Sequence, residues 1–154
     1  MNKIILFLSV LAASAISCNN SDDVKQKSVP FILVGQGNLL GAGKEDIIKQ
    51  NIIITDSVQW QDILNQMNVV NDVSKSFAET NIDFSKYQVI AIFDEVKGNG
   101  GWSIDITKIE EQANEIIVYI TNLKTGDISS VITQPYQIVK IPVSEEQIIF
   151  KNIN

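Results

Sequence analysis

Tyr87-Gln88-Val89-Ile90-Ala91-Ile92-Phe93 is the stretch that sets the fold class. Side chains alternate across a strand, so Tyr87, Val89, Ala91 and Phe93 share one face while Ile90 and Ile92 take the other. Both faces are apolar, which reads as a strand covered on both sides. Downstream the period of two persists. Trp102, Ile104 and Ile106 alternate with Ser103, Asp105 and Thr107, a strand with one wet face. Glu110 to Asn114 makes a polar turn, and Ile116, Val118 and Ile120 resume the pattern, so Trp102 to Leu123 predicts an antiparallel hairpin. Tyr136 to Ile141 and Gln147 to Phe150 add two short strands, with Pro142 closing the first.

Upstream, a helical period occurs with conviction once. Trp60, Ile63, Leu64 and Met67 fall at i, i+3, i+4 and i+7, with Gln59, Asp62 and Gln66 facing away. Thr55-Asp56-Ser57 supplies N-cap candidates, and Asp56 with Gln59 resembles a capping box. Ile52-Ile53-Ile54 reads as a short buried strand. Val29 to Val34 is an apolar run before a loop with four glycines, Gly35, Gly37, Gly41 and Gly43. Asn68 to Asp83 holds little periodicity and is expected to loop around the sheet, with a helical turn near Ser76 to Glu79. The fold class is α+β, an antiparallel β-sheet with one amphipathic helix packed on a face, in a single domain over 29–154. A domain of this size hides about two-thirds of its unfolded surface and stands without disulfides.

The residue inventory removes whole classes of mechanism. The 154 residues contain 12 basic side chains, all lysine, with no His, against 18 carboxylates, for a formal net charge of -6. Without His there is no Ser-His-Asp or Cys-His pair and no His zinc ligand. Without Arg, and with a negative surface, a nucleic-acid role lacks both its forked donor and its electrostatic drive.

The chain opens as a secretory signal, residues 1–17. Lys3 precedes an apolar run, Ile4 to Ala13, too short for a membrane span, and small residues follow. Ala15-Ile16-Ser17-Cys18 looks like the lipobox of bacterial lipoproteins, with Ala15 where Leu is commonest. Cys18, the single cysteine, would then carry the acyl anchor and become the mature N-terminus. The mature chain has 11 lysines against 18 carboxylates; such a surface is repelled by anionic lipid, so attachment to the membrane rests on the acyl chains. Residues 18–28 comprise this cysteine and a polar, flexible tether. The expected location is the outer membrane of a diderm bacterium, and Ser21-Asp22-Asp23 resembles the short acidic export signal that sends some lipoproteins of such bacteria to the outer cell surface; its alternative reading is a solvated acidic tail.

No catalytic motif emerges. The spacing Gly35-x-Gly37-x-x-x-Gly41 is one residue too long for a dinucleotide fingerprint, and Gly43-Lys44 fails as a P-loop because Glu45 follows. The pairs Asp94-Glu95, Glu110-Glu111 and Glu145-Glu146 read as solvated acids, since neighbours in a strand point to opposite faces. No metal site and no cofactor are expected, and the chain is expected not to be an enzyme. Two segments have unusual chemistry: Lys97-Gly98-Asn99-Gly100-Gly101-Trp102 and Thr133-Gln134-Pro135-Tyr136, each setting an aromatic at a strand start. Gly100, Gly101, Trp102, Thr133, Gln134, Pro135 and Tyr136 are the candidate partner-binding residues; the competing reading is a tight turn whose Trp102 enters the core.

In order and spacing, several segments resemble the PrcB-like family, named for the C-terminal domain of a protease-complex subunit. These are Ile82-Asp83-Phe84-Ser85-Lys86-Tyr87 leading into Val89-Ile90-Ala91-Ile92, then Gly100-Gly101-Trp102-Ser103-Ile104, the hairpin, and Thr133 to Pro142. The chain departs from the family at Trp102, where Tyr is frequent, and at Asp94-Glu95, where a glycine is common. The resemblance implies a non-catalytic secreted or lipid-anchored accessory domain that stabilises or assembles a secreted or surface protease or another envelope protein. Two other classes stay open: a protease inhibitor acting through the Gly-Gly-Trp and Pro-Tyr loops, and a glycan- or small-molecule-binding lipoprotein.

Overall fold

The computed structural model of the protein describes residues 26–153. The signal segment 1–17, Cys18 and the first part of the tether lie outside the described residues. In chain order the elements are β1 (Lys27–Ser28), β2 (Ile32–Leu39), β3 (Gln50–Ile54), α1 (Ser57–Met67), β4 (Tyr87–Phe93), β5 (Asp105–Gln112), β6 (Glu115–Thr121), β7 (Gln134–Pro142) and β8 (Gln147–Asn152), with a 3-10 turn at Val73–Ser76. The strands form two four-stranded sheets, β2-β7-β4-β3 and β1-β5-β6-β8, rather than the single sheet expected from sequence. All pairings are antiparallel except β6 with β8, which is parallel.

The two faces of β4 explain the division. Val89, Ala91 and Phe93 belong to one buried cluster with Trp60, Ile63, Leu64 and Met67 of α1 and with Tyr136 and Ile138 of β7. Ile90 and Ile92 belong to a second, with Val139 and Ile141 of β7 and Ile106, Ile109, Ile116, Val118 and Ile120 of the hairpin. A strand apolar on both sides needs two covers, and a second sheet supplies one of them.

Local chemistry sets the element ends. Asp56 caps α1, its carboxylate accepting from the N–H groups of Val58 and Gln59 at 2.9 Å. The buried Trp60 indole donates to the Thr80 carbonyl at 2.7 Å, tying the helix to the loop that precedes β4. The hairpin starts at Asp105 rather than Trp102, and its turn is only Ala113-Asn114, with Ala113 at φ +54. The expected turn near Ser76 to Glu79 falls a few residues earlier, at Val73–Ser76. Lys27–Ser28, read as the end of the tether, pair with Glu111 and Glu110.

The glycine loop needs the largest correction. Gly35 and Gly37 lie inside β2, which bulges between Leu33 and Gly35 and pairs with β7 along its length. A Cβ on Gly35 would stand 2.5 Å from the Phe77 ring, and one on Gly37 would stand 3.2 Å from the Tyr136 hydroxyl. These glycines therefore admit aromatic rings onto the strand, the close-approach role of glycine in a sheet.

The topology gives the molecule two distinct ends. At one, β2, β4 and β6 finish and β3, β5 and β7 begin, as the pairings Leu39 with Gln134, Gln50 with Phe93 and Asp105 with Thr121 show. At the other, β1 meets the far end of β5, so the chain enters the domain there.

Candidate functional site

The two segments singled out from sequence meet at the first end. β4 and β7 are antiparallel neighbours, so the chain leaving β4 at Phe93 emerges beside the chain entering β7 at Gln134. Lys97 and Thr133 form a two-way backbone bridge, N–H to O at 2.7 and 3.1 Å, and the Thr133 hydroxyl donates to the Asn99 carbonyl at 2.9 Å. A third segment, Asn122 to Ile132, is laced to the same loop. Gly126 and Asp127 donate their N–H groups to Gly101 and Gly100 at 3.1 and 2.9 Å, Asn99 donates to the Asp127 carbonyl, and Gly100 donates to the Ser129 hydroxyl.

The glycines are required by this lacing. Gly101 sits at φ +74, where a Cβ would also stand 2.7 Å from the Asp127 nitrogen. Gly126, at φ +95, lies against the Trp102 ring, leaving 2.7 Å to an added Cβ. The Trp102 indole donates to Asn99 Oδ1 at 2.9 Å, and the Lys97 ammonium stands 4.8 Å over its ring centroid. Trp102 is thus half-buried, held edge and face, and does not enter either core cluster.

Beneath the loops lies a buried carboxylate. Asp94, 2% exposed, was expected to be a solvated acid; it instead binds Lys49 at 2.9 Å, Lys97 at 3.1 Å, the Asn122 amide at 3.1 Å and the Glu95 N–H at 2.8 Å. Burial is the largest single influence on Asp94 and raises its pKa. The donors together outweigh it and hold the carboxyl below its usual range. Burial likewise works against the charge of Lys97, yet Glu95 and Asp94 outweigh it and raise the Lys97 pKa. Glu110 is also buried, where it pairs with Lys108 and accepts from the Gln112 amide at 3.5 Å.

Thr133, Gln134, Pro135 and Tyr136 are buried and position the loops, and of the four Tyr136 borders the cleft beside Trp102. Gln134 Nε2 donates to the carbonyls of Ile47 at 2.8 Å and Asp94 at 2.9 Å, and Tyr136 packs between Phe77 and Phe93. Burial raises the Tyr136 pKa. Pro135 and Tyr136 are strand residues, and the expected loop ends before them.

What sequence reasoning missed is the apolar crown around Trp102. Leu123, Val131, Ile132, Val96 and Leu40 are exposed at this end, and Ile128 is fully exposed. The signal was present as Gly126-Asp127-Ile128-Ser129-Ser130, an isoleucine in a polar turn with no periodic partner. Beside the crown, Gln36, Asn38, Trp102, Ser103, Asp105 and Lys124 line a cleft of about 430 Å³. Its polar groups are largely engaged with one another: Gln36 donates to Asp105 at 2.6 Å, and Asp105 accepts from the Leu123 N–H at 3.0 Å.

Residues 88–142 match the family model described as PrcB C-terminal. The match runs from the second residue of β4 through the hairpin to the last residue of β7, and so contains the central strand pair and all the loop segments that meet at Trp102 except the turn after β2. No curated protein and no solved structure matches the chain.

Proposed function

From the PrcB-like assignment of residues 88–142, we propose that the protein is a non-catalytic, lipid-anchored accessory subunit of the cell envelope that docks a protease-type protein partner on its crown. The observation that carries this reading is the exposed apolar set Leu123, Ile128, Val131 and Ile132 on the segment that is hydrogen-bonded to Lys97, Gly100 and Gly101 through its neighbouring residues. Apolar side chains held out on a hydrogen-bonded loop cost solubility and contribute nothing to the core, which is the pattern of a contact surface. Polarity of the molecule supports it as well. An anchor on Cys18 enters at the β1 end, and the eight residues of β2 alone carry the chain about 26 Å from that end to the crown. The crown then lies at the end of the domain remote from the anchor.

The cleft beside Trp102 is the feature that a glycan- or small-molecule-binding reading would use. That reading is weaker, because Lys97 stands over the tryptophan ring and Gly126 lies against it, leaving little free face for a sugar. An inhibitor reading needs two protruding aromatic tips, and Tyr136 is 2% exposed.

Co-purification from the native envelope tests the proposal, with Leu123→Asp/Ile128→Asp as the discriminating variant. Both positions are exposed, so melting temperature should stay within about 2 °C, while capture of the partner falls by roughly 30-fold or more, as for loss of an interface anchor. Unchanged capture with an intact fold refutes the crown as the contact surface. The anchor is tested separately: Cys18→Ala should abolish acyl labelling and release the protein from membranes.

A further inference from the structure

The four outer edges of the two sheets are not alike. β2 is blunted by its bulge and by the 73–78 segment, where Phe77 covers Gly35 and Ala78 N–H donates to the Val34 carbonyl at 2.8 Å. β1 is two residues long and carries Lys27, and β8 carries Lys151. These are the usual protections of an edge strand: shortness, bulges, lysines or a covering segment. β3, Gln50-Asn51-Ile52-Ile53-Ile54, has none of them. It pairs with β4 on one side only, contains no charge, proline or bulge, and no described residue donates a backbone hydrogen bond to its outer edge.

The space beside that edge is shaped for a chain. Gln59, Asp62, Ile63 and Gln66 of α1 and Gln50, Ile52, Ile53 and Ile54 of β3 line an open groove of about 350 Å³ between them. Ile52 and Ile53 point to opposite faces of the sheet, so a strand added here would turn one row of side chains toward Ile53 and the other toward the α1 side, where Asp62 stands. The groove also has a sign. Asp62 stands on its wall, and α1 itself contains no basic residue.

We propose that the β3 edge is a strand-addition site for an extended peptide segment of a partner, apolar at alternate positions and carrying lysine or arginine between them. Main-chain pairing to β3 supplies the affinity, and the Ile52–Ile63 groove with Asp62 supplies the selectivity. The site is separate from the crown and does not depend on the accessory-subunit reading.

The probe is a capped ten-residue peptide of alternating valine and lysine. Its control has the same sequence with alternate backbone nitrogens methylated, so that charge is kept and one pairing edge is lost. The unmethylated peptide is expected to bind the wild-type domain, to slow amide exchange at alternate residues of Gln50–Ile54, and to bind at least about tenfold more tightly than the methylated one. Ile53→Lys, at an exposed position, should weaken it by about tenfold or more with the melting temperature unchanged. Equal binding of the two peptides, protection confined to other segments, or no binding at millimolar peptide overturns the proposal. So does concentration-dependent dimerisation that protects β3 without peptide, which would make a second copy of the chain the occupant.

Discussion

Asp94→Asn removes a charge while keeping the shape of the side chain, and the structure sets the size of the loss. Four donors converge on this carboxylate, and they are not equivalent. The Lys49 side chain is 62% exposed, so its pair is worth no more than a surface ion pair, about 0–1 kcal/mol. Lys97 is 14% exposed and loses a nearly desolvated partner, for which a charge-assisted hydrogen bond of about 1.5–3 kcal/mol is the measure. Glu95 softens that loss because it remains 2.8 Å from the same ammonium. The expected net is about 2 kcal/mol, a fall in Tm of about 6–10 °C for a domain of this size. Chemical denaturation at several pH values is the assay. The folded carboxyl has a pKa below its unfolded value of about 4, so its contribution is complete above that value and is lost as pH falls through the folded pKa. Wild type and variant should therefore differ most near neutrality and converge in acid. A difference under about 0.5 kcal/mol at pH 7, or one of constant size from pH 7 to pH 2, would refute the assignment of Asp94 as the electrostatic base of the crown.

Other substitutions probe the remaining layers. Trp60→Ala deletes a buried aromatic and its hydrogen bond to Thr80, and should cost about 3–5 kcal/mol by denaturation; a loss below about 1 kcal/mol would detach α1 from the core. Gly35→Ala forces a methyl into the Phe77 ring and should cost about 1–3 kcal/mol, with Phe77→Ala in the same chain relieving part of it in a double-mutant cycle.

How much of this was legible in the sequence depended on the range of the cause. α1 was legible because Asp56 and the Trp60-to-Met67 stripe act within a few residues of one another. β4 was legible as doubly covered because its own seven residues carry apolar groups on both faces. The second sheet was not, since the side chains that cover Ile90 and Ile92 come from a hairpin whose own pattern fits a single one-sided sheet equally well. β2 failed for a different reason. Its glycines look like a loop until Phe77, some forty residues away, is placed on Gly35 and Tyr136 on Gly37. Turn chemistry and close packing use the same residue, and only the tertiary partner tells them apart.

The same distinction governs the site. Gly100, Gly101 and Trp102 were recognised as unusual from local composition, and the segment at Thr133 from its proline and aromatic. Sequence contained no statement that they meet through Lys97 and Thr133, nor that a third strip, Asn122 to Ile132, is stitched over both. That strip carries the exposed isoleucine. A motif built from small and aromatic residues therefore marked the scaffold of the crown, whereas the side chains left free to touch a partner are the aperiodic Leu123, Ile128, Val131 and Ile132. The division is physical. Residues that need φ above zero, or that must accept a ring at van der Waals distance, are restricted in kind and so stand out in a sequence. A contact side chain on a solvent-facing turn has no such restriction, and only its exposure in the folded chain sets it apart.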